Sequence, residues 1–286
     1  MRAGVGVRLI VALVLPVVVA LSACGSGAPS GTTGSSGAPI ESPSDAPIVQ
    51  MPSLPAPLPV ATSAAPVATA APKVVVPPAA PDLLVNHLVG IGNARQVISV
   101  TTSGYGTNVA TLQAFTKTAT GWTRTFGPWT AHIGRKGFAP PGQKVEGDLR
   151  TPTGAYGFDY FFGIKPNPGV HYPYKVIDSS AIVWDDDPSS PNYNLWIDTR
   201  TGTSAGASPE PMYNAPVYFY GAVIAYNTAR KPGLGSAIFL HQNSNANGST
   251  AGCVSLPASE LLAVLRWLDP SASPVIVMGT TAAVTH

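Results

Sequence analysis

From Leu83 to the C-terminus the chain is cut into short apolar runs, and that spacing constrains its fold more than any other feature. "RQVISVTTS", "VATLQAFTKT", "WTRTFGPWTAHIG", "GAYGFDYFFGI", "SAIVWDD", "NLWID", "PVYFYGAVIAYN", "SAIFLH" and "SPVIVMG" are rich in β-branched and aromatic residues. Gly, Asn, Pro, Ser or Thr flank them, so they read as about nine short strands. Thr120-Gly121, between the second and third runs, reads as a hairpin turn. Only "PASELLAVLRWLD" has a helical period. Leu261, Leu262, Leu265 and Leu268 make its apolar stripe, Pro257 suits the first turn, and Asp269-Pro270 stops it. Many short strands and one helix predict a mainly β domain, a sandwich or barrel, with its main helix after Cys253. A segment of about 200 residues can bury one substantial core without disulfides.

The residues before it are of another kind. Arg2 and Arg8 precede an apolar run from Leu9 to Leu21, the pattern of a secretory signal over residues 1–23. The run ends in Leu21-Ser22-Ala23-Cys24, which resembles the bacterial lipobox, where cleavage leaves the cysteine as a lipidated first residue. Ordinary cleavage nearby and free secretion is the other reading. Residues 24–82, exemplified by "APLPVATSAAPVATAAPKVVVPPAAP", hold almost no aromatics and few charges. Such a stretch cannot build a core and reads as a Pro-stiffened tether, reaching on the order of 100 Å if partly polyproline-like. The folded domain is therefore expected over 83–286, with its centre at about 95–279.

Charge excludes one class of function. The chain carries 16 basic and 14 acidic residues, and losing the signal removes two arginines and no acid, leaving 14 of each. A neutral chain with 10% charged residues has no electrostatic footprint for nucleic acid. Cysteine usage is more telling. With Cys24 lipidated, Cys253 has no partner in the chain, and a lone thiol in an oxidising compartment points to intermolecular pairing or a reactive group, against the plainer reading of a buried inert side chain.

The surroundings of Cys253 favour reactivity. "GSAIFLH" is an apolar strand ending on His241, "QNSNANGST" is a loop, and Thr250-Ala251-Gly252-Cys253 follows. The helix expected a few residues later would put Cys253 before a helix N-terminus, where the dipole favours a thiolate. Gly252 would let the backbone approach a substrate, and the N–H groups of Gly252 and Cys253 are candidates for an oxyanion hole. His241 is placed to act as general base toward the thiol.

These residues carry a resemblance. His241, a loop, then Thr250-Ala251-Gly252-Cys253-Val254 is similar to the signature of the L,D-transpeptidase (YkuD-like) catalytic domains of bacterial cell-wall enzymes. "GDLRTPTGAYGF", "DDDPSSPNYNLWID" and "IAYNTARKPGLGSAIFLH" also resemble that family, in its Thr-Ala-Gly-Cys branch. Two positions depart from it. The motif's second His is Ala251, which bears on donor recognition and rate, and the polar residue two positions after the cysteine is Ser255. The resemblance implies two-step acyl transfer. Cys253 attacks the L,D-peptide bond of a tetrapeptide stem of peptidoglycan, expelling the terminal D-residue. A diamino-acid amine of a neighbouring stem then resolves the thioester into a 3→3 cross-link, with His241 moving the protons. It implies no cofactor and no metal, and carbapenem-type β-lactams as inhibitors.

Other residues have competing readings. Tyr226 and Asn227, with Thr250 and Ser255, are candidate peptide-stem contacts. Arg150 either anchors the Thr-Pro-Thr-Gly turn or meets a carboxylate. His132 also ends a strand, but Arg135 and Lys136 oppose its charged form, so a structural role is favoured; His171 reads as a loop or surface residue. Asp185-Asp186-Asp187 beside Pro188-Ser189-Ser190-Pro191 reads as a solvated, self-capping turn rather than a metal site. Trp122, Trp129, Phe161 and Phe162 read as packing residues. The competing functions are an L,D-carboxypeptidase, in which water takes the thioester, and a non-catalytic peptidoglycan-binding lipoprotein.

Overall fold

The computed structural model describes residues 82–244 and 248–286. The expected signal sequence, Cys24 and the expected tether up to residue 81 lie outside the described residues. Thirteen strands appear in chain order: β1 (Gln96–Thr102), β2 (Val109–Thr118), β3 (Gly121–His132), β4 (Gly154–Tyr156), β5 (Phe158–Gly163), β6 (Tyr174–Val176), β7 (Ile182–Asp185), β8 (Leu195–Asp198), β9 (Glu210–Pro211), β10 (Gly221–Ile224), β11 (Phe239–Gln242), β12 (Val254–Leu256) and β13 (Val275–Thr280). Among the described residues two α-helices, α1 (Ala258–Trp267) and the single turn α2 (Thr281–Val284), join them, with short 3-10 turns at Leu84–Asn86, Thr199–Thr201 and Pro270–Ala272. The domain is mainly β, as the spacing of apolar runs predicts.

Ten strands form one sheet in the order β4-β13-β1-β2-β3-β12-β11-β10-β5-β6, and β8-β7-β9 form a small second sheet. β4 and β5 lie near opposite edges of the large sheet, yet only Gly157 separates them in sequence. The sheet must therefore curl until its two ends meet, giving a half-barrel. Ala225 N–H donates to Gly157 C=O at 3.0 Å across that junction. "GAYGFDYFFGI" is thus two strands, because a single residue there changes partner from β13 to β10.

Strand alternation sorts the core into two layers. Phe161, Ala222, Ile224, Leu240, Val254 and Leu256 point inward, against Leu261, Val264, Leu265 and Leu268 of the α1 segment. Their neighbours Phe162, Val223, Phe239 and Cys253 point outward, where Ile182 and Trp184 of the small sheet and Met212 cover them. The helix thus closes the inside of the curl, while the candidate thiol sits on the opposite face. A third cluster, with Val97, Phe115, Val277 and Val284, closes the far end of the outer face. Phe161 and Phe162 are fully buried in these layers, and Trp122 and Trp129 pack against them, matching the packing roles expected of all four.

Several local expectations are corrected. The hairpin turn is Ala119-Thr120; Gly121 already pairs with Thr118 as the first residue of β3. "PVYFYGAVIAYN" contributes only Gly221–Ile224 as strand, preceded by a turn. On α1, Val264 joins the buried stripe and Leu262 is only half-buried, and Pro257 is the N-cap rather than a first-turn residue. Strands β6, β9 and β12, of two or three residues each, are too short to leave a periodic signal.

Leu265→Ala is expected to lower stability by about 2–5 kcal/mol, since a fully buried side chain facing the sheet leaves a cavity. Ser259→Ala, on the exposed face of the same helix, should stay within about 0.5 kcal/mol of the parent. Urea unfolding followed by circular dichroism measures both.

Candidate active site

β11 and β12 run parallel, with Leu240 opposite Val254, His241 opposite Ser255 and Gln242 opposite Leu256. Cys253 immediately precedes β12, so continuing this register sets it beside Phe239. Alternation then puts Cys253, Phe239 and His241 on one face. Cys253 and His241 lie diagonally, one strand over and two residues along, roughly 8 Å apart at Cα by strand geometry. Both side chains are buried and both border one cavity of about 310 Å³.

The thiol is held by backbone groups. Cys253 Sγ–H donates to Ala237 C=O at 3.2 Å, and Sγ accepts from Phe239 N–H at 3.4 Å. Burial pushes the thiol up to about 12; the charge of Glu210 adds to the rise, and the Phe239 N–H and Lys144 oppose it. The expected helix-dipole activation is therefore absent: strand β12 intervenes, and α1 begins only at Ala258. The resting thiol is neutral.

His241 has a defined tautomer. Its Nδ1 lies 2.8 Å from Gln242 C=O, and a carbonyl can only accept, so Nδ1 carries the proton and Nε2 the lone pair. Burial pulls the imidazole down to about 4, only partly offset by that carbonyl. The Tyr218 ring stands edge-on to the imidazole, 5.4 Å between centroids at 89°. His241 is thus a neutral base whose ring orientation is fixed from two sides.

Two buried threonines brace the cysteine peptide. Thr250 Oγ1 donates to Cys253 C=O at 2.7 Å and accepts from Gly252 N–H at 3.1 Å. Thr151, from the Thr-Pro-Thr-Gly segment, donates to the same carbonyl at 3.3 Å and accepts from Gly134 N–H at 2.9 Å. Two expectations for Gly252 change accordingly. Its N–H is engaged by Thr250, so of the two oxyanion-hole candidates only the Cys253 N–H is not committed to a side chain. A Cβ on Gly252 would come within 3.0 Å of Arg150 C=O and 3.3 Å of Ile238 Cδ1, so the missing side chain accommodates the protein's own backbone.

The remaining candidates separate cleanly. Thr250 and Ser255 border the cavity; Tyr226 and Asn227 do not. The Tyr226 hydroxyl donates to Leu234 C=O, and Asn227 ties Lys231 and Gly235 into the same loop. Arg150 donates to Phe138 C=O at 2.9 Å, anchoring its turn. His132 is buried opposite Ser255 across the β3–β12 pair, and His171 is exposed. The Asp run does cap backbone groups, through Asp185 to Asp187 N–H and through Asp187 to Ser189 and Ala207 N–H. It is not a solvated turn throughout, because Asp185 is fully buried and accepts from the Ser190 hydroxyl.

The cavity also contains residues that no local motif marks. Glu146, Asp186 and Glu210 come from three separate segments, and Tyr218 stands beside them. Burial and the charge of Glu146 push Asp186 up to about 6, and burial raises Glu210. Glu146 and Glu210 are isolated acids and Asp186 belongs to an Asp run that reads as a turn, so only the fold brings the three together.

Comparison with known proteins accords with this geometry. The YkuD family, described as the L,D-transpeptidase catalytic domain, matches residues 111–277. No curated protein matches the chain. Among solved structures, the helical cell shape determining protein Pgp2 from Campylobacter jejuni aligns at 12% identity over 68% of this chain and 51% of that one, with a TM-score of 0.37. The aligned part thus spans about half the length of that protein.

Thr250→Val should cost about 1–3 kcal/mol, because it strands the buried Gly252 N–H and removes one of two bonds to Cys253 C=O. Thr250→Ser keeps both bonds and should remain near the parent. Chemical denaturation curves of the two variants decide this.

Proposed function

The chain belongs to the L,D-transpeptidase catalytic domain family, and from that premise we propose that it is a cell-wall L,D-transpeptidase. It would form 3→3 peptidoglycan cross-links through a thioester on Cys253. The observation that carries this reading is the pairing of β11 with β12, which sets Cys253 and a base of defined tautomer, His241, on one face at one cavity.

The resting protonation states shape the mechanism. A thiol near 12 and an imidazole near 4 do not form a standing thiolate–imidazolium pair. The proton passes from Sγ to His241 Nε2 as sulfur attacks the carbonyl carbon of the stem's L,D-peptide bond. The tetrahedral intermediate collapses when the departing D-residue's nitrogen takes that proton from Nε2, leaving the thioester. In the second half, Nε2 accepts a proton from the incoming amine as its nitrogen attacks. The C–S bond then breaks and the proton returns to sulfur. The carbonyl of Gln242 stabilises the transient imidazolium through Nδ1–H, so no carboxylate partner is required.

In this reading, residues 1–23 are a signal sequence, Cys24 is lipidated, and residues 24–82 tether the domain so that it meets the wall away from the membrane. The partners are stem peptides, and carbapenems acylate the same thiol.

Intact mass after incubation with a carbapenem is the direct test. One adduct is expected on the parent and none on Cys253→Ala, and His241→Gln should slow acylation by about 10²-fold or more. No adduct, together with unchanged muropeptides after incubation with tetrapeptide stems, would overturn the enzymatic reading. Products formed with and without an amine acceptor separate cross-linking from hydrolysis.

The pH dependence follows from the sign of the His241 shift. Because burial lowers its pKa to about 4, the base form persists far below the usual imidazole range. The acylation rate is expected to be flat from about pH 5 to 8, with no loss centred near the unperturbed value of about 6.5. Stopped-flow acylation across that range checks it, and a limb near 6.5 would contradict a neutral buried base.

A further inference from the structure

We propose that Glu146, Asp186 and Glu210 form a subsite for a protonated amine of a peptide substrate, set in the same cavity as Cys253. The proposal rests on the reading that this cavity takes peptide stems, and it adds which residues choose among them and by what chemistry.

Three carboxylates border one cavity, and among the described residues none of them is in an ion pair. The cation bordering the cavity, Lys144, is bound to Asp148 at 2.7 Å and to Val145 C=O at 2.7 Å. The partners the carboxylates do have are neutral. Glu146 accepts from the Tyr193 and Ser236 hydroxyls, and Glu210 accepts from the Tyr218 hydroxyl at 2.9 Å. Such bonds fix the oxygens in place without cancelling their charge. Among the described residues Asp186 accepts from no other side chain, and burial together with the neighbouring Glu146 charge disfavours its ionised form. A bound cation would remove that repulsion.

A second observation, independent of the acids, also indicates a ligand. Ser255 is 1% exposed and borders the cavity, yet among the described residues its hydroxyl has no hydrogen-bond partner. A buried hydroxyl left unpaired costs about 1–3 kcal/mol, and such groups in native folds usually mark a missing partner. A peptide group entering the cavity would supply it. Among the described residues no three His, Cys, Asp or Glu side chains stand close enough to hold a metal ion, so the arrangement suits a diffuse organic ammonium. The placement has a consequence for the thiol. Glu210 contributes to keeping Cys253 protonated, and an ammonium bound there would offset that contribution, coupling occupancy of the cavity to reactivity.

The test reads binding in the full chain carrying Cys253→Ala, so that no acyl transfer intervenes. Two probes are titrated calorimetrically: a tetrapeptide stem with a meso-diaminopimelate side-chain amine, and the same peptide acetylated on that amine. The free amine is expected to bind about tenfold more tightly at low salt, with the gap shrinking in 0.5 M NaCl. Asp186→Asn and Glu210→Gln, added to that background, should each reduce the gap to threefold or less. Asp186→Asn breaks no side-chain hydrogen bond, and an unchanged melting temperature separates a binding effect from unfolding. Equal affinity for the two probes, a gap that survives both substitutions, or no binding of either peptide would overturn the proposal. Carbapenem acylation of the parent chain is scored separately. An adduct without an amine preference removes this subsite and leaves the transpeptidase reading standing; an amine preference without an adduct does the reverse.

Discussion

The parallel pairing of β11 with β12 is the constraint on which the site depends. Parallel neighbours need a crossover to bring the chain back in the same direction, and here it falls between Gln242 and Val254 in sequence. The register sets His241 opposite Ser255 and thereby fixes the face and depth of Cys253. A one-residue slip would send the thiol into the helix-covered core and expose Val254 to the cavity. Thr151 and Thr250 guard against such a slip by holding Cys253 C=O from two segments distant from each other in sequence. The same threonines close the local backbone accounting around Gly134 and Gly252.

A sheet with two differently covered faces makes this arrangement affordable. One face is closed by α1 with aliphatic side chains. The other, near the site, is closed by aromatic packing of Phe162, Trp184, Tyr218 and Phe239, with ring centroids 5.0–5.8 Å apart. This rigid apolar wall is why the thiol and imidazole are both neutral at rest. Burial in that wall disfavours the charged form of both groups. Glu146, Asp186 and Glu210 border the same cavity without an ion pair among the described residues, which is the ground for the proposed amine subsite.

Much of the architecture was legible in the chain, for physical reasons. Long strands such as β1 to β3 carry enough alternating β-branched residues to identify themselves, and α1 shows its period through Leu261 and Leu265. Strands β6, β9 and β12 do not, because two or three residues cannot display a period. The break at Gly157 was also hidden, since a change of partner strand leaves no trace in hydrophobicity. Of the site, Cys253 and His241 were readable from motif and context. The thiol's environment was not: proximity to a helix in sequence suggested activation by its dipole, whereas an intervening strand and burial act the other way. Tyr226 and Asn227 neighbour the site in sequence order but spend their polar groups on their own loop.

What the sequence by itself determined is a mainly β fold with a single main helix, and the position of His241 and Cys253 on either side of one loop. These follow from local composition and short-range order, which any chain must carry in its residues. Only the tertiary structure decided that Gly252 makes room for Arg150's backbone, that Thr151 holds the cysteine's carbonyl, and that Glu146, Asp186 and Glu210 share a cavity with Cys253. Those relations join residues far apart along the chain, and their energies arise from desolvation and close packing, which exist only once the sheet has curled.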